Sequence, residues 1–211
     1  MTQIKREVLA RAGVLGGATA AMWLVRILDS FGTGRSAAGH GVVPRTMYGL
    51  EGIPTAPFIH ADFEHLVANT IPFILLGVLI LFRGVAEFLF VTLVSGLVGG
   101  LGTWLFGQSN SEHIGASGIV FGFFGYLLFR AAFDRRISSI LLTVAVLVLY
   151  GASMAYSLVP EEGISWSGHF FGLVGGYVAA RLRYPLTRNR EKISRTLAVI
   201  PLIAPPFDGP T

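Results

Sequence analysis

FIHADFEHLVANTIPFILLGVLILF, residues Phe58–Phe82, decides the architecture. From Leu66 onward it is almost wholly apolar, and as one segment it is long enough to cross a bilayer, which takes roughly 20 residues at 1.5 Å per residue. Yet His60, His65 and Asn69 stand in its first half. An apolar run of this length that nevertheless carries imidazoles and a carboxamide is a membrane span with something to do.

Working outward, similar runs recur. Spans are predicted at about 8–28, 58–82, 85–106, 114–129, 137–158 and 167–182, all helical because hydrocarbon offers the backbone no other partner. The composition agrees: of 211 residues, 53% are hydrophobic and only 13% charged, and the mean hydropathy is +0.65. A soluble domain carries about a quarter charged residues, so no separate soluble domain fits. Residues 1–195 read as one transmembrane domain and 196–211 as a short tail, too rich in proline to span. The long loop between the first two spans, 29–57, reads as irregular with some interfacial helix. A cleaved signal peptide ending near Ala18–Ala20 is disfavoured, because Arg11 breaks the apolar run and hydrophobicity continues past it.

The sixteen Lys and Arg residues orient the bundle. With the N-terminus inside, Lys5, Arg6, Arg83, Arg130, Arg135, Arg136, Arg181, Arg183, Arg188, Arg190, Lys192 and Arg195 fall on the cytoplasmic side, and Arg11 leans the same way. Only Arg26, Arg35 and Arg45 fall outside, where the last outer loop is acidic, with Glu161 and Glu162. That asymmetry predicts an even number of spans with both termini inside, in a plasma or inner membrane. It also explains the net charge of +4 without nucleic acid. The chain has no cysteine, which excludes disulfides, thiolate metal sites and a thiol nucleophile.

Polar side chains within spans are expensive, and four stand out: His65 and Asn69 in span two, Ser117 in span four and His169 in span six. Singly, each has a structural explanation, because serine back-bonds to its own helix and His or Asn can join two helices. Depth brings them together. Counted from the outer ends of their spans, Ser117 and His169 lie about 5–6 Å down and His65 and Asn69 about 12–18 Å down. Asn69 follows His65 by four residues and so shares its helix face. A hydroxyl, an imidazole and two hydrogen-bond donors in one leaflet are the parts of an acyl-transfer site. Gly118/Gly122 and Gly172/Gly176 are Gly-x-x-x-Gly pairs beside them, which permit close helix contact.

These segments resemble the rhomboid intramembrane serine proteases, an all-α family with a six-span core. His60, His65 and Asn69 match the family's span-two signature. Gly115-Ala116-Ser117-Gly118 matches its nucleophile motif, and His169, Gly172 and Gly176 match its base motif. All three occur in the family's order, over about residues 56–180. The resemblance implies that Ser117 attacks a peptide carbonyl while His169 removes its proton, with no third acidic member and no cofactor or metal. It further implies an oxyanion hole from His65, Asn69 and the Ser117 N–H, packing of Phe121 against His169, and a supporting role for His60 near the outer loop and its water. The substrates would be transmembrane helices of other proteins, cut near their external boundary. One departure is evident: many members carry Trp-Arg in the first outer loop, where this chain has Pro44-Arg45 followed by Gly49-Leu50-Glu51-Gly52-Ile53.

Three alternatives bear on the same residues. A metalloprotease would use His60, Glu64 and His65, but histidines five apart diverge by about 140° on a regular helix, and Glu64 with His60 reads as a solvated pair at the helix mouth. A transporter would carry polar groups through both leaflets, whereas the inner halves of these spans are apolar. A catalytically inactive, helix-binding relative of the rhomboids would typically lack the serine or the histidine, and this chain has both.

Overall fold

The computed structural model describes the backbone of residues 2–32, 39–161 and 163–203, and the side chains among these as far as residue 184. Among the described residues seven α-helices follow in order: α1 (Gln3–Ser30), α2 (Met47–Thr55), α3 (Phe63–Leu81), α4 (Val85–Phe106), α5 (Ser117–Asp134), α6 (Ile137–Tyr156) and α7 (Trp166–Ile203). A 3-10 turn, Ala56–Phe58, follows α2. Five of them, α1, α3, α4, α5 and α6, are long and apolar enough to cross a membrane. The protein is an all-helical, multi-pass membrane protein. Arg35, Glu162, residues 204–211 of the tail, and the side chains of Arg188, Arg190, Lys192 and Arg195 lie outside the described residues.

The predicted spans correspond to helices, and α4 has the expected bounds. The second starts later than expected. Asp62 is its N-cap, accepting the His65 N–H at 2.7 Å, so the helix begins at Phe63 and His65 lies in its first turn. His60 therefore precedes the helix. At the position of the sixth predicted span, α7 continues to Ile203 and is not among the five helices identified as long and apolar enough to cross. In the long first loop, α2 is the short helix anticipated there, N-capped by Thr46, whose side chain accepts the Gly49 N–H.

Helix α7 packs against α4 and α5, while α3 and α6 flank α5 and α1 rests on α3. Small residues make this possible. A Cβ on Gly172 would collide with the Gly118 carbonyl and one on Gly176 with the Gly122 carbonyl. The two Gly-x-x-x-Gly pairs thus face each other across one seam. Gly175 meets α4 at Ser95 in the same way. Phe73, Phe88 and Phe123 cluster behind the seam in the buried core. The outward faces are apolar too: Leu141, Val144, Val148 and Leu149 of α6 are exposed, as lipid contact requires.

Ion pairs gather the ends of four helices. Arg83, after α3, meets Asp134 at the end of α5 at 3.0 Å, and Arg183 of α7 meets Glu87 at the start of α4 at 3.1 Å. The Tyr126 hydroxyl donates to the same Glu87. The serine and histidine motifs lie at the opposite end.

Candidate active site

The chain reaches Ser117 through a sharp turn. Gly115 has φ +105°, a left-handed conformation that favours glycine. A side chain there would also come within 2.8 Å of the His65 ring. The turn is anchored twice: the Gly115 N–H donates to the Ala56 carbonyl at 2.9 Å, and the Ala116 N–H donates to His60 Nε2 at 3.4 Å. Helix α5 then starts at Ser117 itself. The first N–H groups of a helix have no carbonyl behind them and carry its positive dipole end. Ser117 thus presents its hydroxyl and its backbone N–H together at the positive end of the helix.

His169 enters from α7, one turn past its start. Its Nε2 is 2.9 Å from Ser117 Oγ, and its Nδ1 is 2.7 Å from the carbonyl oxygen of Ser157. A carbonyl only accepts, so Nδ1 carries the proton of the neutral ring. The Nε2 lone pair is left for the Ser117 hydroxyl. Phe121, one turn along α5 from Ser117, stacks on the imidazole with centroids 4.3 Å apart and planes within 7°. His169 is 8% exposed and Phe121 4%. Lone pair, hydroxyl and ring plane are thereby held from three sides.

Asn69 is buried, and its Nδ2 donates to the His65 carbonyl at 2.9 Å, leaving a second N–H on the same nitrogen. His65 Nδ1 accepts the Ala61 N–H over a long 3.5 Å, which places the neutral ring's proton on Nε2, beside Gly115. Ser117, His169, His65 and Asn69 all line one cleft of about 720 Å³. Its walls come from α3 (Ala68, Ile71, Pro72) and α6 (Tyr150, Ser153, Met154). All four candidates from the sequence are therefore brought together, from three separate helices.

Residues 49–186 match a family model described as the Rhomboid domain, a stretch that holds every one of these side chains. The chain belongs to the rhomboid family. It is 37% identical over 195 residues to an uncharacterized protein of Mycobacterium tuberculosis, a match covering 86% of this chain and 81% of that one. It is 32% identical over 129 residues to the putative rhomboid protease YdcA of Bacillus subtilis, covering 61% and 64%. A third relative is rhomboid protease GluP of Bacillus subtilis, 30% identical over 123 residues, 58% of this chain and 24% of that one. The rhomboid family includes serine proteases.

Two expectations for this rhomboid are corrected. His60 and Glu64 do not form a solvated pair: the His60 ring is 2% exposed and turned toward Ala116, while Glu64 points outward. Nor do His60 and His65 diverge, because His60 precedes the helix that the 140° argument assumed. Their rings meet edge-on with centroids 5.1 Å apart. Among the described residues, no group of three or more His, Asp or Glu side chains converges as metal ligands.

Other contributors were given no role from the sequence. Ser157 acts through its backbone carbonyl, which leaves no trace in side-chain identity. Arg45 donates to the carbonyls of Leu105 at 2.9 Å and Gly107 at 3.0 Å, pinning the first loop to the end of α4. Trp104 returns the contact by donating its indole N–H to the Thr46 carbonyl at 2.7 Å. The rhomboid's first loop is thus anchored by Arg45 and Trp104, far apart in sequence, where Trp-Arg is missing.

Proposed function

We propose that this rhomboid is an intramembrane serine endopeptidase that cuts transmembrane helices of other proteins near their external boundary. The observation that carries this is the Ser117–His169 bond of 2.9 Å, with the ring's tautomer set by the Ser157 carbonyl. Ser117 Oγ attacks the scissile carbonyl as its proton passes to His169 Nε2, forming a C–O bond. The imidazolium keeps its Nδ1–H on Ser157. The oxyanion faces the Ser117 N–H, Asn69 Nδ2 and His65 Nε2 at the positive end of α5. His169 then returns its proton to the leaving amine as the C–N bond breaks, and water hydrolyses the acyl-enzyme. Phe121 and His60 support the site, the first through the ring of His169 and the second through the backbone before Ser117.

The bundle would sit in a plasma or inner membrane with six spans, α7 supplying the sixth, and with both termini inside. The ion-paired end holding Arg83, Arg130, Arg135, Arg136 and Arg183 faces the cytoplasm in this arrangement. The name of the relative GluP supports proteolysis. The test is labelling of purified protein by a fluorophosphonate or isocoumarin probe, together with cleavage of a single-span substrate. Wild type should label and cleave, and folded Ser117→Ala should do neither. Cleavage by Ser117→Ala above a few per cent of wild type overturns the assignment.

A further inference from the structure

In the segments that lead into α5 and α7 lies a second serine–histidine pair, with the roles exchanged between chain segments. His113 is four residues before Ser117, and Ser165 is four residues before His169. His113 Nδ1 and Ser165 Oγ are 2.7 Å apart. Ser165 stands immediately before α7, its Oγ accepting the Gly168 N–H at 3.4 Å and its carbonyl accepting the His169 N–H at 3.0 Å. It is therefore the N-cap of the helix that carries His169.

The hydrogen-bond directions around His113 follow from donor counts. Ser111 spends its single O–H on the Gln108 carbonyl at 2.6 Å. Its oxygen can then only accept from His113 Nε2, 3.0 Å away. The neutral ring's proton is thus on Nε2, and Nδ1 accepts the Ser165 hydroxyl. Burial holds the His113 pKa below its ordinary value, opposed in part by a hydrogen bond to the Gln108 backbone, which favours the neutral ring. The backbone of His113 is held as well, exchanging two 2.9 Å bonds with Val42 of the first loop. A loop tied to Val42 therefore grips the capping serine of α7, while the Gly118–Gly172 contact sets the spacing along the seam.

We propose that His113 is a positioning residue for His169, acting through Ser165 to fix where α7 begins. It rests on the reading of Ser117 and His169 as the reacting pair, because its consequence is their alignment. A misplacement of about 1 Å in a reacting pair costs on the order of 10²-fold in rate.

The test compares His113→Ala, His113→Asn and His113→Gln in detergent. An Asn side chain places its oxygen near the position of His Nδ1 and can accept from Ser165; a Gln side chain reaches the Nε2 position and contacts Ser111 instead. We expect His113→Ala to lower kcat about 10–100-fold with KM within about twofold, His113→Asn to recover most of it and His113→Gln not to. Unchanged kcat in His113→Ala, or equal rates in His113→Asn and His113→Gln, overturns the proposal. If His113→Ala does not fold, the Asn/Gln comparison alone decides by the same criterion. A readout independent of turnover is the ¹⁵N spectrum of the His169 ring: His113→Ala should lose the single Nδ1–H tautomer, and a spectrum like wild type refutes the positioning role. Failure of the protease reading looks different, since wild type would then not label, or labelling would survive Ser117→Ala, whatever the spectrum of His169.

Discussion

The side chains around Ser117 divide by what each presents to it. His169 offers a lone pair, because its other nitrogen is committed to a carbonyl. His65 and Asn69 offer N–H groups, and their own hydrogen bonds run to Ala61 and within α3 rather than to the hydroxyl or the base. Their loss should therefore leave the nucleophile formed and weaken only charge stabilisation, worth about 10²–10³ in rate for one donor. His65→Ala and Asn69→Ala are expected to lose cleavage by that factor while still labelling at Ser117 with a fluorophosphonate. Wild-type turnover in both variants would reduce them to contacts that hold α3 in place. Ser117 and these three side chains were all legible in the sequence, since each is costly in a span. His113 was not, because it lies in a loop where a histidine costs nothing and only its distance to Ser165 marks it.

At the scale of elements, the α5–α7 seam is the joint on which the site depends. Ser117 and Gly118 are adjacent, as are Gly172 and the turn after His169, so any widening of the seam separates hydroxyl from imidazole. A methyl group on Gly172 meets the Gly118 carbonyl, which is backbone and cannot rotate away. Gly172→Ala should destabilise the protein by about 1–3 kcal/mol or more through overpacking, and it should abolish cleavage. Gly16→Ala is the control, because nothing lies within 4 Å of a Cβ on that α1 residue. Thermal unfolding in detergent with a parallel cleavage assay checks both, and equal behaviour of the two variants would contradict the seam. The glycine spacing was visible in the sequence. That Gly175 faces α4 while Gly172 and Gly176 face α5 was not, since a helix of small residues carries no label for which side meets which partner.

For the whole molecule, the cleft is lined by both α3 and α6 and sits at the end opposite the ion pairs of Arg83, Asp134, Glu87 and Arg183. In the proposed orientation, with the basic end in the cytoplasm, Ser117 would meet a substrate in the outer leaflet. A peptide bond within an intact helix is shielded and already hydrogen-bonded, so the substrate must unwind there first. Gly costs about 1 kcal/mol and Pro about 3 kcal/mol in a helix interior, so substrates weakened by them near the outer end should be cut fastest. Mass spectrometry of the products from a single-span substrate should place the cut near the external boundary. Cuts in the cytoplasmic half would contradict the orientation.

Amino-acid order alone determined the class of protein, the approximate positions of its long helices and the residues worth suspecting, because burying a polar group in hydrocarbon is costly enough to be read one residue at a time. It also placed the two glycine pairs, whose period is local. What only the tertiary structure decided was pairing. Asp62 moved the start of α3 past His60, Ser157 lent a carbonyl that selects the tautomer of His169, and Ser165 met His113 across 52 residues of chain. Each of these depends on a backbone group or a loop, where residue identity is weakly constrained and only proximity gives the contact its meaning.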